Sequence, residues 1–188
     1  LEGAASTSEE REGKSFPPMA CLRFRDLVKN YSVTLPERAV AYYNLLTVEK
    51  TPAGVLGEMK SAAGEALENA LGRISEQRGL IGSRGGSSPA ALRFSPRVMD
   101  YAELQARARN RNPDLEELTE RFLRSLPPSL DERERCVETA SYLLDLAGEK
   151  GPLIVTGFLP PYYPPRLNNG KTGGEHAVLR AAARLRED

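Results

Sequence analysis

The run PLIVTGFL, Pro152 to Leu159, constrains the fold more than any other segment of the chain. Its apolar residues are consecutive rather than alternate, which fits a strand covered on both faces, as in the parallel sheet of an α/β layer. A buried helical turn is excluded by the brevity of the run and by the prolines on either side of it. The PPYYPP segment that follows, Pro160 to Pro165, supplies few backbone donors and cannot continue a central strand, so the chain leaves the sheet there in an extended path. The end of such a strand is where α/β proteins place ligands.

A parallel strand needs partners and crossover helices, and the rest of the chain offers both. FPPMACLRFRDL alternates at Leu22 and Phe24, NYSVTLP at Tyr31, Val33 and Leu35, and AVAYYNLLTV from Ala39 to Val48 is β-branched and aromatic. Thr51-Pro52 then reads as a helix cap with proline in the first turn. Val55, Met59, Ala62, Ala66, Ala70 and Ile74, widened by Leu67 and Leu71, predict an amphipathic helix of about five or six turns lying on one face of these strands. From Gly79 to Ala91 the glycine and serine content predicts an exposed, mobile loop, and ALRFSPRV resumes an extended path.

Asp100 with Glu103 forms a capping-box pattern, Pro113 opens a further helix that Pro127-Pro128 stops, and Ser129 with Glu132 forms a second box. The helix after it carries Val137, Ala140, Leu143, Leu144 and Ala147 on its apolar side, with Gly151 placed to end it. Asn168-Asn169-Gly170 turns the chain into a last helix, EHAVLRAAARL. The organisation this predicts is a flexible lead-in over 1–15 and a strand-strand-helix unit over 16–80. A Gly/Ser loop follows over 81–91, then a strand and helical segment over 92–150. Residues 151–188 hold the buried strand, the Pro/Tyr-rich edge and the final helix. The fold class is α/β, a mixed β-sheet with helices mainly on one face.

Charge and cysteine usage narrow the function. The 26 basic and 26 acidic residues cancel, and no block of like charge gathers, so neither nucleic acid nor an anionic membrane has electrostatic support as a partner. Cys21 and Cys136 match no metal or redox spacing and read as reduced thiols of a cytoplasmic protein. No apolar run reaches the roughly 18 residues of a membrane span, and the start resembles no signal peptide. Beginning with Leu1, the chain reads as processed, or as a piece of something longer.

Candidate chemistry is sparse. His176 is the only histidine, which rules out a multi-imidazole metal site and leaves it a helix-surface residue. Asp26, Glu37, Glu49 and Asp100 flank candidate strands without a spacing that marks a catalytic pair. GKTGG from Gly170 lacks the upstream glycine of a phosphate loop, since Pro165 stands in its place. Tyr162 and Tyr163 between prolines form an edge that suits a protein partner, and this edge or an exposed strand edge keeps a stand-alone interaction domain open as an alternative.

The ordered blocks FPPMACLRFRDLVKNYSVTLPERAVAYYNLLTVEKTPAGVL, RFSPRVMDYAEL and PLIVTGFLPPYYPP resemble the middle of the RocB-type arginine-utilization proteins over roughly residues 16 to 187. The resemblance implies a deacylase related to the acetylornithine deacetylase and succinyl-diaminopimelate desuccinylase metallopeptidases. The resemblance implies a two-zinc catalytic domain interrupted by a smaller lid domain. Residues from about 28 to 80 then belong to the lid, and those after about 150 to the catalytic sheet. It also implies a homodimer formed through a lid strand edge, and a zinc cofactor held by the remainder of the catalytic domain rather than by this chain. The family's substrate-gripping pattern, an acidic residue and an arginine two positions on, falls at Asn44-Leu45-Leu46, which lacks the arginine. Asn44 is therefore the one candidate substrate-binding residue, with no catalytic or metal-binding residue assigned.

Overall fold

Three short strand pairs and five α-helices make up this α/β chain in a computed structural model that describes residues 2–11, 13–28, 36–85, 95–163, 168 and 170–185. After a 3-10 turn at Ala5–Thr7, β1 (Glu10–Arg11) pairs antiparallel with β2 (Lys14–Ser15). β3 (Ala20–Asp26) pairs with β4 (Ala39–Asn44), and α1 runs from Pro52 to Gly85. β5 (Arg97–Asp100), α2 (Tyr101–Arg111), α3 (Leu115–Ser125), α4 (Glu132–Ala147) and β6 (Leu153–Thr156) follow, and α5 (Gly173–Arg184) closes the series. The chain divides into two compact units, Leu1–Leu22 with Tyr43–Lys50 and Tyr163–Asp188, and Arg23–Tyr42 with Thr51–Tyr162.

In the larger unit β5 and β6 pair in parallel, Arg97 opposite Leu153 and Asp100 opposite Thr156, as the consecutive apolar residues of PLIVTGFL require. Neighbouring residues on a strand face opposite ways. Met99 joins the core formed by Leu104, Ala108, Leu115, Leu143 and Ala147 of the helices α2 to α4, and Val155 packs against the same group. Val98 faces the other way, 4.0 Å from the position a side chain on Gly64 of α1 would take. Helices therefore cover both faces of this pair. Lys60 of α1 bonds Asp100 at the strand's end. The four residues from Lys60 to Gly64 rise about 6 Å, and the two strand residues from Asp100 to Val98 about the same. The two elements thus run level in opposite directions.

Caps decide where the helices start. The Thr51 hydroxyl accepts from the Gly54 N–H at 3.2 Å, so Thr51-Pro52 opens α1 as its sequence predicts. α1 differs in extent and in placement. It packs on β5 and β6, and its 34 residues, about 51 Å of helix, continue through Gly79–Gly85, where the glycines predict a loop. Isolated glycines weaken a helix by only about 1 kcal/mol each, so they do not by themselves end it. Residues 86–91 of that loop lie outside the described residues, as do Tyr31, Val33 and Leu35 of the second candidate strand.

The Asp100–Glu103 box is present in both directions. The Ser129–Glu132 box is not: Asp131 caps α4, its Oδ1 accepting from the Glu134 N–H at 2.8 Å. The segment SLDERE fits the same pattern twice, two residues apart, and the aspartate takes the cap. Gly148 rather than Gly151 ends this helix, in the left-handed conformation at φ 60°. Gly151, φ 91°, turns the chain into β6. α3 starts at Leu115, two residues past the expected Pro113.

In the smaller unit, short elements at Ala5–Thr7, Glu10–Arg11 and Lys14–Ser15 stand in the segment whose composition predicts a flexible lead-in. Thr7 is buried and its hydroxyl accepts from the Met19 N–H at 2.9 Å. The Glu9 carboxylate accepts from the backbone N–H of Val48 and Glu49 at 3.1 and 2.7 Å. Burial alone would raise the Glu9 pKa, and these donated bonds hold it below the usual carboxylate range instead. The polar composition that suggests flexibility is what binds this segment to Val48–Lys50. α5 is capped by Thr172, in a reciprocal box with Glu175.

Candidate functional site

The parallel pair brings its two C-terminal ends together at Asp100 and Thr156, the edge where the sequence places a ligand. Asp100 ends β5 and caps α2 at once. Its Oδ1 accepts from the Glu103 N–H at 2.9 Å, and the Glu103 carboxylate accepts from the Asp100 N–H at 2.7 Å. Lys60 reaches both carboxylates from α1, at 3.1 Å to Asp100 and 2.6 Å to Glu103. On β6 the buried Thr156 hydroxyl donates to the Met99 carbonyl at 3.4 Å. Gly157 follows, and a side chain there would start 3.3 Å from Tyr101 Cβ, so glycine keeps the two chain ends close.

Electrostatics define what this edge does. The Glu103 N–H first, then Lys60, hold the Asp100 carboxyl below its ordinary value, and Lys60 first, then the Asp100 N–H, do the same for Glu103. The Lys60 ammonium is raised by the same two carboxylates, Glu103 first. A general acid needs a raised carboxyl and a nucleophilic lysine a lowered amine. Each of these three groups is shifted the opposite way. The cluster is an ionic tie between α1 and the β5–α2 junction.

The sequence candidates do not gather here. Asn44 is the exposed last residue of β4. Asp26 accepts from the Val28 N–H at 3.1 Å, Glu49 lies 3.5 Å from Arg11, and Glu37 is exposed. His176 is exposed on α5. Tyr162 and Tyr163 are exposed, Tyr163 to 81 %, and Pro164 and Pro165 lie outside the described residues. Neither Cys21 nor Cys136 is in a disulfide; each is half-buried, and burial raises the Cys136 pKa. Among the described residues no group of three or more His, Cys, Asp or Glu is placed to hold a metal ion. The zinc that the resemblance implies thus finds no ligand set among them. No helix of the described residues is long and apolar enough to cross a membrane.

Sequence reasoning missed the partners of two partly buried carboxylates. Glu149 takes 2.6 and 3.0 Å bonds from Arg97 and Arg107, and Glu134 takes bonds from Arg23 and Arg25. Nothing local marks these, because the arginines lie 42 to 111 residues away. The Thr172–Glu175 box was legible, as the T-x-x-E pattern stands in the sequence.

Comparison with known proteins places the chain at a distance from two of Bacillus subtilis. It is 28% identical over 167 residues to the uncharacterized protein YqjN, covering 87% of this chain and 30% of that protein. It is 24% identical over 157 residues to protein RocB, covering 84% of this chain and 28% of RocB. The chain is distantly related to RocB and spans less than a third of the length of either relative. No family model matches it, and no solved structure does.

Proposed function

We propose that this chain is a non-catalytic, lid-like portion of a longer zinc-dependent amidohydrolase or deacylase connected with arginine utilization. The observation that carries the reading is the distant similarity to RocB across 84% of the chain but 28% of RocB. The ligand edge of β5–β6 supports it, because its ionisable groups are engaged in holding α1 and α2. In this reading the metal and its ligands belong to other parts of the longer protein, and Asn44 is the substrate contact the lid contributes. The same reading has two copies meet through the edge of β4, with Glu37-Arg38 and Glu49-Lys50 bracketing that segment.

The test joins the chain to the coding sequence on either side of it. The longer protein should bind zinc and hydrolyse N-acylated amino acids, while the chain alone holds no stoichiometric zinc after dialysis against a weak chelator. About one tightly held zinc per isolated chain, or amidase activity from it, overturns the reading. Light scattering over a range of concentrations checks the pairing. A dimer weakened by Tyr43→Lys supports it, and a monomer mass throughout rejects it.

A further inference from the structure

The strand pair β3–β4 has its polarity reversed relative to an ordinary half-buried sheet. Arg23 and Arg25 on β3, with Arg38 just before β4, reach α4, while Phe24 between the first two is 76 % exposed. No residue of either strand is fully buried, and none belongs to the apolar core of β5, α2, α3 and α4. Three arginines reach α4 from this pair. Arg23 lies 3.2 Å from Glu134, Arg25 bonds the same carboxylate, and Arg38 bonds the Ser141 hydroxyl at 2.6 Å, the Ser141 carbonyl at 2.9 Å and Asp145. Glu134, Ser141 and Asp145 stand at i, i+7 and i+11, one stripe of the helix. Docking also leaves Arg25 Nε buried with no hydrogen-bond partner among the described residues, a cost that subtracts from what the ion pairs supply.

We infer that β3–β4 is a separately releasable arm, seated on the acidic stripe of α4 by charge and free to open while the β5–β6 and helical core stays folded. Ion pairs at partly exposed positions contribute little and are screened by salt. A two-stranded sheet on its own is marginally stable in water, so once it leaves α4 it loses its own hydrogen bonds as well. Low-stability segments of this kind open locally without global unfolding. Ionic strength, or a competing acidic surface, then sets how often the arm is seated.

The experiment is hydrogen–deuterium exchange by mass spectrometry on the full chain at about 0.1 M and about 1 M sodium chloride, where the screening length falls from ~10 Å to ~3 Å. Amides of 23–28 and 36–42 should exchange at least about fivefold faster at the higher salt, while those of α2 and of Val137 to Ala147 hold their protection. The double variant Glu134→Gln with Asp145→Asn should show the fast pattern already at low salt. Two results overturn the inference. One is arm amides as protected as those of α2 at both salts. The other is arm and core losing protection together, in salt or in the variant, which makes them one cooperative unit.

Discussion

α4 carries two interfaces that differ in kind. Leu143 and Ala147 face the core with Leu104, Met99 and Leu115, and Leu143 is 1 % exposed. On the opposite side, about half a turn round at 100° per residue, Glu134, Ser141 and Asp145 receive the arginines of β3 and β4. The apolar face removes hydrocarbon from water, worth roughly 1.5–3 kcal/mol for a fully buried leucine. The charged face exchanges water for ion pairs whose Coulomb gain is largely cancelled by desolvation and screening. Two neighbours of one helix can thus be held with quite different strength. The apolar face fixes the fold, and the charged face fixes only a position.

The largest effect belongs to the apolar face. Leu143→Ala should destabilise by about 2–5 kcal/mol, and a chain of this size loses roughly 2–4 °C of Tm per kcal/mol. A melting temperature that barely moves would break the comparison at its stronger side. Gly148→Ala comes next. The glycine sits at φ 60°, and a side chain there would run into the Arg111 guanidinium. The backbone term alone is about 1–2 kcal/mol, while arginine, being flexible, moves aside. Thermal melting of this variant checks that α4 ends at Gly148 and not at Gly151.

Acidification probes the ions just beyond the helix. Burial pushes the Glu149 carboxyl up, but the bonds from Arg97 and Arg107 outweigh it and leave the folded value below the ordinary one. A carboxyl lowered on folding gives stability that is complete above its unfolded value and disappears as pH falls through the folded one. Urea midpoints should therefore fall on acidification through and below the usual carboxylate range, and Glu149→Gln should flatten that slope. An unchanged slope contradicts the assignment. The smallest effect belongs to the charged face. Asp145→Asn should change global stability by at most about 1 kcal/mol, less in high salt, because Asp145 is 63 % exposed.

Much of the apolar side was legible in the sequence. Consecutive apolar residues from Leu153 to Val155 told of a parallel strand, and Leu143 and Ala147 marked the core face of α4. The Asp100 box and the Thr51 cap were legible because capping is local chemistry. Where two local solutions competed, sequence alone did not decide. Ser129 and Asp131 both precede a glutamate by three residues, and Gly148 and Gly151 both adopt positive φ. The charged side was not legible. Alternation at Leu22 and Phe24 predicts a strand, which is present, but says nothing of a pair that turns its arginines toward a helix more than 100 residues on. Nor does any local pattern show that Lys60 occupies the carboxylates of the ligand edge, 40 and 43 residues away.

The contrast between the two faces is tested most directly by thermal unfolding of three proteins side by side at low and high salt: the unaltered chain, Leu143→Ala, and Glu134→Gln with Asp145→Asn. Leu143→Ala should lower the global transition strongly and equally at both salts, while the charge variant should melt within a few degrees of the unaltered chain. A charge variant that falls as far as Leu143→Ala at low salt would contradict that contrast, because the ionic face would then be part of what holds the core together.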